Sequence, residues 1–251
     1  MARLRRQFGK CKLCQQQAAL CRSHVVPEFC YKPIYHGKHH LTGVAVSPRG
    51  FGRPVMQKGY KEPMLCSSCE QKLNAWEKKF NDFWFVKQIS SDSVTEKYPV
   101  VHGFDFKWMK LFHLSIIWRF HSAEGFGRID LGQYAECIRN MLLNENACTP
   151  TNLPVFGCLL LDDSKRILDK LITEPGEGRF DGSRFYAVCY AGCEWLFLMT
   201  ETPTRKQRKF IDAFGIQEDG SIRLMTSHYK DSRSWDKLVC EVRSAMKGHH
   251  V

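Results

Sequence analysis

The sequence has no long uninterrupted apolar run. Its two most apolar stretches, Trp108–Phe120 and Phe185–Met199, are broken by charged or polar side chains. Neither provides the roughly 18 uncharged residues that a membrane span needs, so we expect no membrane partner. The basic start of the sequence is not followed by an apolar core, so no secretory signal is expected. We also find no internal repeat and no low-complexity segment.

The composition is that of a globular protein with many cysteines, which are expected to be in the thiol form. The chain has 251 residues, of which 43% are hydrophobic and 12% aromatic, enough for one large domain or two small ones. Twelve cysteines without a secretory signal indicate a cytoplasmic protein whose thiols bind metal or lie buried. The net charge of +11 favours a polyanionic partner, although charge alone is weak evidence for one.

Periodicity and composition divide the chain into three regions and predict an α+β fold. Residues 1–90 hold six cysteines, with a loop-rich part from Lys32 to Gly59 in which little helix is expected. Residues 91–150 are predicted to be helical, with "FKWMKLFHLSIIWRFH" as a buried helix, whose closing Arg119 and His121 are most simply helix-end charges. Residues 151–251 form a mixed, β-rich region with a hairpin turn expected at Ala191-Gly192.

Two Cys-x-x-Cys pairs in the first region predict a structural zinc site. Cys11 and Cys14 form one pair, and Cys66 and Cys69 form the other after a gap of 51 residues. Four thiolates complete a tetrahedral Zn²⁺ site, and this spacing suits a treble clef, with one pair on a turn and the other at the start of a helix. Unrelated buried thiols are the main alternative, and Cys21 and Cys30 are further possible ligands. A redox role for the first pair needs a βαβ context that the sequence does not show.

The helix expected after Cys69 places an acidic stripe opposite a histidine. Apolar residues from Leu73 to Trp84 recur every three to four positions, so Glu70 and Glu77 lie on one helical face. His24 follows the first cysteine pair and should pack near that helix. A histidine facing carboxylates suits a general base beside a hard divalent cation. A buried structural histidine and a solvated acidic face are the simpler alternatives.

At these residues the sequence resembles a family. The pattern of Cys-x-x-Cys, "SHVVP" and "KGYKEPMLCSSCE" is similar to the zinc-finger type of HNH, or ββα-metal, endonucleases, over roughly residues 8–85. The segment Lys58–Phe80 resembles uncharacterised bacterial HNH-like proteins. The resemblance implies a ββα-metal module that cleaves DNA, and by association a role in antiviral host defence or in a mobile element.

Matched position by position, the resemblance assigns roles to individual residues. His24 matches the general base, and the four cysteines match the structural zinc ligands. Glu70 stands where the family places a metal-binding His or Asn, and Ser23 stands where it usually has Asp. Because of these two departures, a catalytic Mg²⁺ or Mn²⁺ would be held by Glu70, Glu77 or Glu62, or the site no longer cleaves. Glu62 can equally be an ordinary loop carboxylate.

A basic loop is the candidate contact with nucleic acid. Its cations are interleaved with glycines and can follow a phosphate backbone. They are Lys38, Arg49, Arg53 and Lys58. The basic cluster "RKQRKF" that begins at Arg205 is either a solvated face or a second phosphate contact.

The sequence thus predicts a metal-dependent HNH-type endonuclease acting on DNA, with RNA not excluded. The C-terminal region would support a homodimer or a partner protein. The alternative is a non-catalytic treble-clef module that binds nucleic acid or a protein.

Overall fold

The computed structural model confirms a mixed α+β fold. It describes residues 7–35, 40–42, 45–47, 50–52, 55–57, 59–85, 94–125 and 127–232. In chain order the strands are β1 (Phe8–Lys10), β2 (Gln17–His24), β3 (His40–Thr42), β4 (Ala45–Ser47), β5 (Gly50–Gly52), β6 (Val55–Gln57), β7 (Lys61–Cys66), β8 (Val100–His102), β9 (Val155–Leu161), β10 (Gly176–Phe180), β11 (Ser183–Tyr190), β12 (Cys193–Leu198), β13 (Ser221–Arg223) and β14 (Met225–His228). The helices are α1 (Glu28–Tyr31), α2 (Ser67–Phe83), α3 (Phe106–Ser122), α4 (Tyr134–Leu143) and α5 (Arg205–Phe214), with 3₁₀ turns at Lys32–Ile34 and Tyr229–Asp231.

The first region is built on a three-stranded antiparallel sheet in the order β1-β2-β7. Strands β2 and β7 pair from Leu20 opposite Cys66 to His24 opposite Lys61, with one irregularity after Cys21. Helix α2 begins immediately after β7. Two paired strands followed at once by a helix form a ββα arrangement, which is the order of elements that the resemblance implies, with a long segment inserted between the strands.

The inserted segment contains strands where the sequence analysis expected mainly loop. Strand β3 pairs with β6 and β4 pairs with β5, both antiparallel, so one hairpin lies inside the other. The glycines and prolines that suggested loop also separate these short strands. No helix occurs among the described residues from 40 to 57, as expected.

Helices α2 and α3 form the centre of the molecule. Asp105 caps α3 by accepting a hydrogen bond from the Trp108 amide at 3.1 Å. From Trp108 to Phe120 every residue of α3 is buried, which confirms the predicted buried helix. On α2, the Phe80 ring stacks on Phe112 of α3 with centroids 4.1 Å apart. The apolar spacing that predicted α2 is therefore the face that packs on α3.

The third region contains a five-stranded sheet in the order β10-β11-β12-β9-β14. Its pairs are antiparallel except for β14, which runs parallel to β9. Strands β11 and β12 form the predicted hairpin, and Ala191 and Gly192 both have positive φ angles, 55° and 74°, at its turn. Trp84 at the end of α2 donates a hydrogen bond to the Ala191 carbonyl at 3.0 Å.

One hydrophobic cluster runs through all three predicted regions, from Cys11 to Leu224. Strand β8 of the middle region also pairs with β13 of the last region. Residues on either side of the predicted boundaries at 90 and 150 therefore share packing. In the part of the chain that the structure describes, no helix combines the length and the apolar character needed to cross a membrane.

Candidate metal centre and active site

The four predicted cysteines meet at one place. The Sγ atoms of Cys11, Cys14, Cys66 and Cys69 all lie within 4.8 Å of one another, so together they can hold a metal ion. Those of Cys14 and Cys66 are 3.8 Å apart. A Zn²⁺ ion with four sulfur ligands at about 2.3 Å requires sulfur separations of about 3.8 Å, so this donor set is compatible with structural zinc.

Backbone contacts shape the turn that carries the first cysteine pair. The Cys11 amide donates to the Gln16 carbonyl at 2.8 Å, and Gln15 takes a positive φ of 64° so that its own amide reaches the Cys11 carbonyl. The Cys66 amide donates to the Cys11 sulfur at 3.3 Å. The turn between β1 and β2 is thereby held against the junction of β7 and α2, as the treble-clef spacing predicts.

The crowded thiols differ in their tendency to ionise. Burial opposes ionisation of Cys66, but hydrogen bonds from the Ser68 hydroxyl and the Cys69 amide outweigh it and lower the pKa of Cys66 to about 6. Burial, reinforced by the neighbouring thiols, raises the pKa of Cys69. Thiolates this close repel one another, and a divalent cation at their centre would relieve that repulsion.

His24 lies at the end of β2, where the chain turns into α1. Its side chain is 15% exposed, and its Nε2 is 4.0 Å from an Oε2 of Glu28. That distance is too long for a hydrogen bond but short enough for electrostatic attraction. Glu28, which the sequence analysis did not single out, follows Pro27 in the first turn of α1. The four-residue spacing from His24 was the available signal.

Ser23 and Glu70, the two positions that depart from the family pattern, are in direct contact. Ser23 is fully buried, and its hydroxyl donates to Oε2 of Glu70 at 2.5 Å. Glu70 lies in the first turn of α2, directly after the cysteine pair. The carboxylate of Glu70 therefore reaches the end of β2, one residue from His24.

Glu77 forms an ion pair with a buried arginine of α3. Its Oε1 is 2.7 Å from Nη2 of Arg119, whose side chain is 2% exposed. Arg119 also donates to the carbonyl and hydroxyl of Ser115 and, at 2.9 Å, to the carbonyl of His24. Glu77 thus helps to fix the backbone of His24 through Arg119, and its role as a metal ligand stays a prediction.

Glu62 is also engaged by a neighbouring segment. Both of its carboxylate oxygens accept the Glu124 amide, at 3.0 and 3.2 Å. Burial raises the pKa of Glu62, and the Glu124 amide partly offsets that effect. Of the residues that the structure describes, the four cysteines are the group of three or more ligating side chains close enough to hold an ion, and His24, Glu62, Glu70 and Glu77 do not form another.

The predicted nucleic-acid contacts Lys38, Arg49, Arg53 and Lys58 lie outside the described residues. No family model, curated protein or solved structure matches this chain. The chemistry of the site has to be inferred from its own residues.

We expect the cysteine group to bind one zinc ion per chain. Cys66→Ser should remove the bound metal and lower the melting temperature, because metal binding contributes directly to folding at such sites. Metal content by atomic absorption and thermal unfolding measure the two effects. Cys148→Ser, at an exposed cysteine outside the group, is the matched control and should keep its metal. Full metal content in Cys66→Ser would show that the metal binds outside the cysteine group.

Removing one partner of the Arg119–Glu77 pair should destabilise the protein strongly. In Arg119→Met the carboxylate of Glu77 loses its counter-ion, which typically costs about 3–5 kcal/mol at a buried pair. The double substitution Arg119→Met/Glu77→Leu removes both charges and should recover much of that loss. Urea unfolding of the wild type, both single variants and the double variant measures the coupling. Additive effects would mean that the two side chains do not interact.

Proposed function

We propose that this protein is a metal-dependent endonuclease of the HNH type that hydrolyses DNA phosphodiesters, with structural zinc on its four cysteines. The observation that carries the proposal is the contact of Ser23 with Glu70 beside His24. This contact supports the proposal because it brings the Glu70 carboxylate to the residue next to His24, the proposed base. These are the components required for metal-assisted hydrolysis of a phosphodiester.

In this proposal His24 is the general base. Its imidazole takes a proton from the attacking water, and the Glu28 carboxylate 4.0 Å away stabilises the imidazolium that forms. Arg119 holds the His24 carbonyl and so fixes the strand end from which the imidazole extends. Histidine suits this role because its ordinary pKa is near neutral pH.

Glu70 is the proposed ligand of Mg²⁺ or Mn²⁺. The cation would polarise the scissile phosphate and stabilise the leaving oxygen. Mg²⁺ is usually bound through one or two carboxylates together with waters and substrate phosphates. A single well-placed carboxylate is therefore enough for an ion that the DNA helps to hold, and the hydroxyl of Ser23 orients that carboxylate.

A non-catalytic zinc module that binds nucleic acid or a partner protein is the second candidate. Ser23 is the residue that favours it, because a hydroxyl is a weaker ligand for a hard cation than the family's aspartate. The hydroxyl of Ser23 also donates a hydrogen bond to one of the two carboxylate oxygens of Glu70. Binding without cleavage is what this candidate predicts.

We expect the purified chain to nick supercoiled plasmid in Mg²⁺ or Mn²⁺, and His24→Ala to lose this activity by on the order of 100-fold or more, because the general base is gone. Gel assays with zinc-loaded protein measure the rate. His102→Ala, at an exposed histidine on β8, is the matched control and should cut like the wild type. Equal cutting by wild type and His24→Ala would reject His24 as the base. Tight DNA binding with no cutting in any metal would favour the second candidate.

Replacing Ser23 by aspartate, the residue usual at this position in HNH endonucleases, should create a stronger cation site. In Ser23→Asp a second carboxylate stands next to Glu70, so their repulsion should destabilise the chain until Mg²⁺ neutralises it. We therefore expect Mg²⁺ to raise the melting temperature of Ser23→Asp more than that of the wild type. Ser23→Asn has the same shape without the charge and should show no such gain. Equal Mg²⁺ effects on the Asp and Asn variants would place the cation elsewhere.

A further inference from the structure

A second concentration of positive charge lies on the C-terminal part of the molecule. Helix α5 carries four exposed cations, Arg205, Lys206, Arg208 and Lys209. Within the described part of the chain none of them forms an ion pair with a carboxylate. The opposite face of α5 is apolar and packs on the sheet through the buried Ile211 and the half-buried rings of Phe210 and Phe214. The cations therefore face solvent from a well-anchored helix.

The neighbouring hairpin adds two arginines. Arg179 of β10 and Arg184 of β11 are directly opposite each other in the antiparallel register, and both are exposed. Arg184 forms one ion pair, with Glu177 at 3.1 Å. Both arginines line a cavity of about 390 Å³ beside the hairpin turn. A cavity of that size, with two guanidinium groups at its wall, can accept a phosphate group.

Side-chain contacts hold the helix and the hairpin together. The buried Gln207 of α5 donates through Nε2 to the carbonyls of Phe180 and Asp181, at 2.9 and 3.2 Å, and to the hydroxyl of Ser183. Thr204 hydrogen-bonds to the Asp181 carboxylate. The ammonium of Lys206 lies 5.5 Å from the centre of the Phe180 ring. The four helix cations and the two hairpin arginines therefore form one surface, which we name the basic corner.

The basic corner works against the stability of the free protein in two ways. The first turn of α5 has three cations and no acidic residue, although the helix dipole favours negative charge there. The pairing of Arg179 with Arg184 places like charges opposite each other across two strands, which is also unfavourable. The ion pair of Arg184 with Glu177 and the capping box of Thr204 and Gln207 offset part of this cost, and local arrangements that lower stability are typical of functional surfaces. A polyanion supplies the missing negative charge.

We infer that the basic corner binds the phosphate backbone of duplex DNA, as a contact additional to His24 and Glu70, which belong to a different sheet and helix. The choice of nucleic acid as the partner rests on the proposed function. Arginine forks match phosphate geometry. Tyr98, one of the exposed aromatic side chains, packs on Phe214 of α5 with ring centroids 5.4 Å apart, and an apolar cavity of about 230 Å³ lies beside Arg179. The choice of a duplex therefore also rests on the proposed function, and its phosphate backbone is contacted by charge.

The test is duplex binding measured apart from cleavage. Fluorescence anisotropy with a labelled 30-base-pair duplex uses the zinc-loaded full chain carrying His24→Ala, without Mg²⁺. Adding Arg205→Glu and Lys209→Glu should weaken binding on the order of tenfold to hundredfold near 0.1 M salt. The slope of log K against log salt should fall by about 2, since each phosphate contact contributes about 0.9. Arg205→Glu places an acidic residue in the first turn, which suits the helix dipole, and Lys209 is exposed to solvent, so these substitutions should not unfold α5.

The matched control reverses two exposed lysines at the other end of the same sheet, Lys165→Glu and Lys170→Glu, with the same change in net charge. Both lysines belong to the loop between β9 and β10. Ile167 and Asp169 of this loop lie against Gly192, in the hairpin turn at that end of the sheet. Unchanged binding in the control, with weak binding in the α5 variant, supports the basic corner. Equal loss in both, or loss in neither, overturns it.

Two further arms separate the remaining outcomes. If polyglutamate at equal charge displaces the duplex as well as unlabelled DNA does, the partner is not specifically nucleic acid and the inference fails. Plasmid cleavage by the wild-type chain is measured in parallel. Binding that depends on the corner without any cleavage would reject the proposed nuclease and leave the corner as a DNA contact.

Discussion

The buried guanidinium of Arg119 is the contact on which the arrangement of the candidate site depends. It comes from α3, it neutralises Glu77 of α2, and it holds the last carbonyl of β2 at His24. Four residues before His24, Leu20 of the same strand pairs with Cys66 of the cysteine group. The strand is thus held near its middle by the cysteines and at its end by a charge that is almost fully removed from solvent. Between these two points Ser23 meets Glu70. The distances around His24 follow from two anchors rather than from the strand alone, which is the support that a precise site needs.

The anchors also explain why the first region is not independent of the rest. A short sheet with a metal site can fold by itself in many proteins, but here α2 is covered by α3 and its terminal Trp84 is hydrogen-bonded to the hairpin turn at Ala191. The candidate active site, the central helices and the C-terminal sheet share one core. The C-terminal sheet and the end of α2 are in direct contact, since the rings of Trp84 and Trp195 lie 5.3 Å apart.

Local patterns in the sequence were sufficient for much of the fold. The spacing of Leu73 and Phe80 indicated α2, the nearly continuous apolar run indicated α3, and Ala191-Gly192 indicated the hairpin, because each depends on neighbours within one element. The four cysteines were predicted as a group since metal chemistry restricts their spacing. The strands of the inserted segment were missed because its glycines and prolines read as loop.

Contacts between segments that are far apart in the sequence could not be predicted from local patterns. The sequence alone indicated that Arg119 is a charge at a helix end. Its contact with the His24 carbonyl depends on how α3 packs against the first region. Glu77 and Glu62 shared a predicted role with Glu70, yet each has its own partner. Glu28 lies four residues after His24, a spacing that alone does not show that the two side chains are close.

The nested hairpins between β2 and β7 have a consequence for how this protein can change. Loop closure depends only weakly on length, with each doubling costing about 0.6 kcal/mol, so the hairpin segment, residues 40–57, can lengthen or shorten at little thermodynamic expense. The paired strand ends, the cysteines and Arg119 stay in place whatever is inserted. Evolution can therefore exchange this segment as a unit, while the cysteine group and the Arg119–Glu77 pair that hold the two flanking strands are inherited intact.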